Sequence, residues 1–270
     1  MNIPKAIEFI ESSNDQVLIS LAYFLIRRQS KEETLNTISS YQLPDGGWTA
    51  TDKDFKEKIS TISCTWPAIQ WMIWLEIPSD NILLTKTIDF IKRKQTIDGY
   101  WDEPQSILVY NPKQWMKPEI YENQLWLTSA VCCKLRELNL EEEVDYDKAI
   151  SFLLSGWNGS FFPVYAHTHW MSLCIFSGHD SPLYKEIFEG CKAYLMDAIE
   201  NNTTDIGNYV TIAYHSYSCG KPANELFQLA YNKLNDIQSG DGGIMSLYGE
   251  MHRPGITLEA LALEKAINNI

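Results

Sequence analysis

Three stretches of this chain repeat one phrase: Gln42-Leu-Pro-Asp-Gly-Gly-Trp48, Gln95-Thr-Ile-Asp-Gly-Tyr-Trp101 and Gln238-Ser-Gly-Asp-Gly-Gly-Ile244. Internal repetition constrains architecture more than any single residue, because each copy has to serve one recurring structural unit. Every copy follows a run of apolar residues at spacings of three and four and precedes another, so it reads as the turn of a helical hairpin. Gly46, Gly47, Gly99, Gly242 and Gly243 supply the backbone freedom that a helix needs to stop and reverse. A worn fourth copy runs from Ser155 to Phe161, with Gly159 in place and Phe161 where Trp48 and Trp101 stand.

The apolar periodicity continues between the copies and predicts six hairpins, each an outer helix followed by an inner one. They span Ile3 to Glu11 with Asp15 to Gln29, Glu32 to Ser40 with Thr61 to Leu75, and Asn81 to Lys94 with Glu122 to Leu138. The second half adds Tyr146 to Leu154 with His167 to Phe176, Leu183 to Ile199 with Ile206 to Ser218, and Asn224 to Ile237 with Pro254 to Ile267. Inner segments such as Cys64 to Leu75 and Trp126 to Cys133 are apolar almost all round, which predicts burial on both sides, whereas outer segments such as Ile82 to Arg93 are amphipathic. An inner ring of helices within an outer ring is the expected arrangement, as one domain over residues 1–270.

A Gln-x-x-Asp-Gly-x-Trp turn between helix pairs resembles the repeat of the squalene/oxidosqualene cyclase and protein prenyltransferase superfamily. The motif is specific, and its organisation covers nearly the whole chain. The resemblance implies an all-α fold, an (α/α)6 barrel or alpha-alpha toroid, around an apolar, aromatic-lined cavity. It also implies that the motif residues tie hairpins together and do not catalyse. Asp45, Asp98 and Asp241 are expected to accept bonds from the turn backbone. Chemistry in that superfamily sits where inner helices begin, at ends expected to lie opposite the motif turns.

The acid motif of the class II cyclases, Asp-x-Asp-Asp, does not occur here. The nearest acidic pairs are Asp52 with Asp54 and Asp145 with Asp147, both in polar stretches that suit capping. The start of the second inner helix, Thr61 to Thr65, carries no acid in sequence. The Asp-x-Cys zinc pair of the prenyltransferases is missing too, and His167 and His169, two apart on a helix, make a poor chelating pair. No metal site and no cofactor are therefore expected.

The remaining polar residues at predicted inner-helix starts include Glu122, Asp205, His167 and His169 as candidate catalysts, where burial of a carboxyl would raise its pKa toward that of a proton donor. Trp66, Tyr121, Trp126, Tyr165, Trp170 and Tyr209 are candidates to line a substrate site, with His252 and Arg253 at its mouth. Aromatic faces stabilise carbocations; they also fill any helical core. An insert, Asp102 to Glu119, is longer than a hairpin needs, and is expected to cover a ligand, to dock on a second subunit, or to pack on its own barrel.

A net charge of -13 argues against nucleic acid and anionic lipid as partners. The six cysteines lie in apolar helical patterns and are expected to be reduced, and with no signal peptide or spanning segment the expected location is the cytoplasm. Together these features predict an acid-initiated carbocation cyclisation of a linear polyprenyl or terpenoid substrate. The alternatives are a non-catalytic toroid that binds a hydrophobic ligand or a protein, and a zinc-dependent prenyltransferase-like subunit.

Overall fold

The computed structural model describes residues 1–49 and 59–268; the Asp52 and Asp54 pair lies outside the described residues. The described residues are all-α. Their helices are α1 (Ile3–Ser12), α2 (Gln16–Leu25), α3 (Lys31–Ser39), α4 (Ile62–Trp74), α5 (Ile82–Lys94), α6 (Tyr121–Leu138), α7 (Tyr146–Ser155), α8 (Ala166–Phe176), α9 (Pro182–Glu200), α10 (Asn208–Ser218), α11 (Asn224–Asn232), α12 (Leu234–Ile237) and α13 (Arg253–Asn268). The helical pairs match those expected, with the sixth outer helix broken into α11 and α12. Polar caps set several starts: the side chains of Asn2, Asp15, Thr61, Asn81 and Asp145 each accept a backbone N–H from the first turn that follows. No helix among the described residues is long and apolar enough to cross a membrane.

The chain divides into two compact units, residues 38–175 and residues 1–37 with 176–270. In the first, α4 packs on α5 and α6, and α6 on α7. Every residue of α6 from Leu125 to Leu135 is buried, as its all-round apolarity requires. In the second unit α13 packs on α1, α2 and α10, α10 on α11, and α11 on α9. The last inner helix, α13, thus lies against the first, α2.

In each copy the repeated glutamine bonds both its own turn and the outer helix of the next hairpin or its cap. Gln95 Nε2 donates to Gly99 O within its own turn and to Asp145 O at the cap of α7, both at 2.9 Å, and its Oε1 accepts the Asp145 N–H at 2.9 Å. Gln238 does the same to Gly242 O at 2.8 Å and to Asn2 O at 3.1 Å, and accepts the Asn2 N–H at 2.7 Å. Gln42 donates to Gly46 O, Leu83 O and Thr87 Oγ1 at 2.9–3.2 Å. Each copy therefore fastens its hairpin to the outer helix of the next, and the last copy fastens to the first helix of the chain.

The aspartates behave as expected at two copies, where Asp45 accepts the Gly47 N–H and Asp241 the Gly243 N–H. The seventh residue of each copy then donates its backbone N–H to a threonine of the following inner helix: Trp48 to Thr65, Trp101 to Thr128 and Ile244 to Thr257. These threonines are the fourth, eighth and fifth residues of α4, α6 and α13. Through these bonds the motif turns lie beside the N-terminal halves of their inner helices, contrary to the opposite placement expected from sequence.

The fourth copy is shifted by one residue. Asn158 takes the aspartate's part, accepting from Ser160 N and Phe161 N, but Phe162 is the fully buried ring and Phe161 is exposed. The Phe162 N–H goes to His169 Nε2 at 3.2 Å, so His169 holds the place that threonine fills elsewhere. Ser155 stands where the glutamine would be; its hydroxyl donates to Phe152 O on its own helix.

Gly242 and Gly159 share a backbone φ of +94°. A Cβ at Gly242 would lie 2.1 Å from Lys5 O, whereas one at Gly159 meets nothing within 4 Å. Gly159→Ala should therefore cost only the left-handed backbone penalty, about 1–2 kcal/mol, and Gly242→Ala clearly more. Urea unfolding of the two variants measures the difference, and equal losses would contradict the close approach of the turn to α1.

Candidate functional site

The insert after Trp101 is cinched at its base by one carboxylate. Asp102 Oδ2 accepts the Glu119 N–H and the Gln124 side chain, each at 2.8 Å, which closes the loop where it meets α6. Asn123, on the first turn of α6, donates from Nδ2 to Gln114 O and Lys117 O, each at 2.8 Å. Between these ties Ile107 and Met116 are buried against Ile59, Cys64 and Trp115. The insert thus packs on its own unit over the starts of α4 and α6, the third of the placements expected for it, and leaves Val109 78% exposed at its outer edge.

That packing brings four rings from three segments into one sequence of contacts. Trp115 of the insert meets Trp126 of α6 edge-on at 5.7 Å, Trp126 meets His167 of α8 at 5.8 Å, and His167 meets Trp170 at 4.5 Å. His167 and Trp170 share a helix face because they are three residues apart. Burial lowers the His167 pKa to about 4, so the imidazole is neutral at physiological pH. Trp126 and Trp170 are 6% and 1% exposed. Among the described residues, neither indole Nε1 has a hydrogen-bond partner, nor do Trp66 Nε1 and Asn123 Oδ1. A buried polar atom without a partner costs about 1–3 kcal/mol, so such a grouping calls for an explanation.

The acid missing from the start of α4 in sequence arrives from the insert. Glu103 accepts the Ile62 N–H on Oε2 at 2.8 Å and the Ser63 N–H on Oε1 at 2.9 Å, and so fills the N-terminal end of α4. It is 4% exposed. Burial raises its pKa to about 7 against the pull of these donors, and the neighbouring Asp102 charge adds to the rise. Glu103 and Asn123 are not among the residues that stand out in sequence, and Trp115 stands out only as one of the insert's apolar residues able to cover a ligand. The signal for Glu103 was its place two residues after Trp101, in register with Ser246 two residues after Ile244. Ser246 also reaches back to the preceding inner-helix start, by donating to Asp205 Oδ2 at 2.8 Å.

The other expected site residues take varied roles. Glu122 is exposed on the first turn of α6, where its charge adds to burial in raising the Tyr165 pKa. Tyr121, 44% exposed, turns to the outer helix α7, its hydroxyl 3.1 Å from Ser155 Oγ and its ring on Phe152. His169 has Nε2 occupied by the Phe162 N–H, and burial lowers its pKa to about 4. In the other unit, Asp205 Oδ1 accepts the Gly207 and Leu247 N–H groups, which with Ser246 makes it a turn anchor. Tyr209 is buried with its hydroxyl on Asn202. Arg253 binds both Asp241 oxygens at 2.8 and 2.9 Å and stacks on Phe9 at 4.6 Å, which locks the third motif. His252 lies beside Tyr248 at 6.0 Å.

Glu103 carries a pH signature. Its pKa rises from 4.5 to about 7 on folding, so the folded chain binds this proton more tightly than the unfolded one, and stability falls as pH rises through that interval. Wild type should lose up to about 3 kcal/mol relative to Glu103→Gln between pH 5 and pH 8. Urea unfolding of both proteins across this range checks it; a constant difference would contradict the buried carboxyl. No protein-family model matches the chain, and no curated protein matches its sequence.

Proposed function

We propose that this chain is a repeat protein of the alpha-alpha toroid type that binds an apolar, terpenoid-like small molecule against the aromatic face at the starts of α4, α6 and α8. The Gln238 bonds to Asn2, together with the packing of α13 on α2, support a cyclic order of hairpins. The observation that carries the binding reading is the contact sequence Trp115, Trp126, His167 and Trp170 with its neutral imidazole. These four rings are apolar and uncharged, which suits a hydrocarbon skeleton.

One observation favours cyclisation as a second reading. Glu103 is a buried carboxyl whose pKa near 7 leaves a substantial protonated fraction at neutral pH, as a proton donor to an alkene requires. Its two backbone bonds equally suit a structural cap.

Titration of the protein with linear terpenoids, followed by tryptophan fluorescence and by mass spectrometry of the mixture, tests both. Saturable binding without new products, weakened at least about tenfold by Trp126→Ala, is the expected result. Failure of every apolar probe to bind would end the proposal. Cyclic products that vanish in Glu103→Gln would replace it with the second reading.

A further inference from the structure

Resting on that binding reading, the unpartnered polar atoms of the aromatic face define the ligand's functional group. Trp126 Nε1 and Trp170 Nε1 are donors and nothing else. Both are buried, both lack a partner among the described residues, and both indoles touch the same imidazole, at 5.8 and 4.5 Å. Asn123 Oδ1 is a buried acceptor without a partner, on the residue three before Trp126 and hence on the same face of α6. Its amide is fixed in orientation, because Nδ2 is committed to Gln114 O and Lys117 O, on either side of Trp115 and Met116. The donors and the acceptor therefore belong to three segments in mutual contact, the insert, α6 and α8.

We infer that the ligand of this face is an uncharged terpenoid bearing a hydroxyl group, with the hydroxyl held by Trp126, Trp170 and Asn123. A hydroxyl oxygen accepts from an indole N–H while its O–H donates to an amide oxygen, so one group meets both needs. A pure hydrocarbon answers neither. A diphosphate would bring several negative charges to a place with a neutral imidazole and no cation among these ring and amide contacts, in a chain whose net charge is -13.

Farnesol, farnesene and farnesyl diphosphate share a skeleton and separate these possibilities. Isothermal titration of wild type should give farnesol about tenfold tighter binding than farnesene, the worth of one or two buried hydrogen bonds, and the weakest binding for the diphosphate. Trp126→Phe and Trp170→Phe keep the aromatic faces and delete the donors; each should weaken farnesol about fivefold or more and leave farnesene within about twofold. The unchanged hydrocarbon affinity also verifies that the variants are folded. Equal affinities of wild type for farnesol and farnesene, or tighter binding of the diphosphate, would overturn the inference while leaving the apolar site standing. If neither farnesol nor farnesene binds, the binding reading itself fails.

Discussion

A primary carboxamide has two N–H donors, and with them Gln42, Gln95 and Gln238 join three of the hairpins to their successors. One donation closes each turn on itself, at Gly46, Gly99 and Gly242, and another reaches the outer helix of the next hairpin. An exposed helix pair has little reason to hold a fixed angle to its neighbour. Here the carboxamide bonds backbone groups on both sides, so the angle is set by main chain. Only glycine permits the approach, since a Cβ at Gly99 would lie 2.5 Å from the Lys148 carbonyl carbon.

The same accounting of N–H groups separates two kinds of tryptophan. Trp48 and Trp101 are fully buried, and their indoles donate to Thr87 Oγ1 and Ile91 O at 2.9 and 2.8 Å. They are finished parts of the scaffold. Trp126 and Trp170 are as deeply set but their indole donors have no partner among the described residues. Two aromatic residues of identical chemistry thus differ in what the fold has left for them to bond, and it is the second kind that gathers around His167.

The hairpins were legible because periodicity and turn chemistry are local, and both repeat. What escaped was set by contacts between distant segments. The start of α4 has no acid within its own residues, yet Glu103 caps it from 40 residues or more downstream. Asp205 stood out in sequence as a candidate acid, but it bonds the Gly207, Leu247 and Ser246 donors around it. His169 was read as a possible catalyst, although the turn of the fourth copy needed an acceptor where the others have threonine. The worn copy hid this, because its ring slipped from position 161 to 162 and the threonine pattern slipped from view with it. Tyr121 and Trp126, five residues apart on α6, shared a label in sequence and turned to different neighbours, Phe152 and His167.

The division of tryptophans is directly observable in nitrogen-15 proton correlation spectra of the nine indole N–H groups, assigned by single Trp→Phe variants. On addition of farnesol, the Trp126 and Trp170 indole signals should move downfield as their protons acquire an acceptor, while those of Trp48 and Trp101 stay in place. Movement of the motif tryptophans instead, or a response spread evenly over all the indoles, would contradict the separation between a scaffold that satisfies its own donors and a face that awaits a ligand.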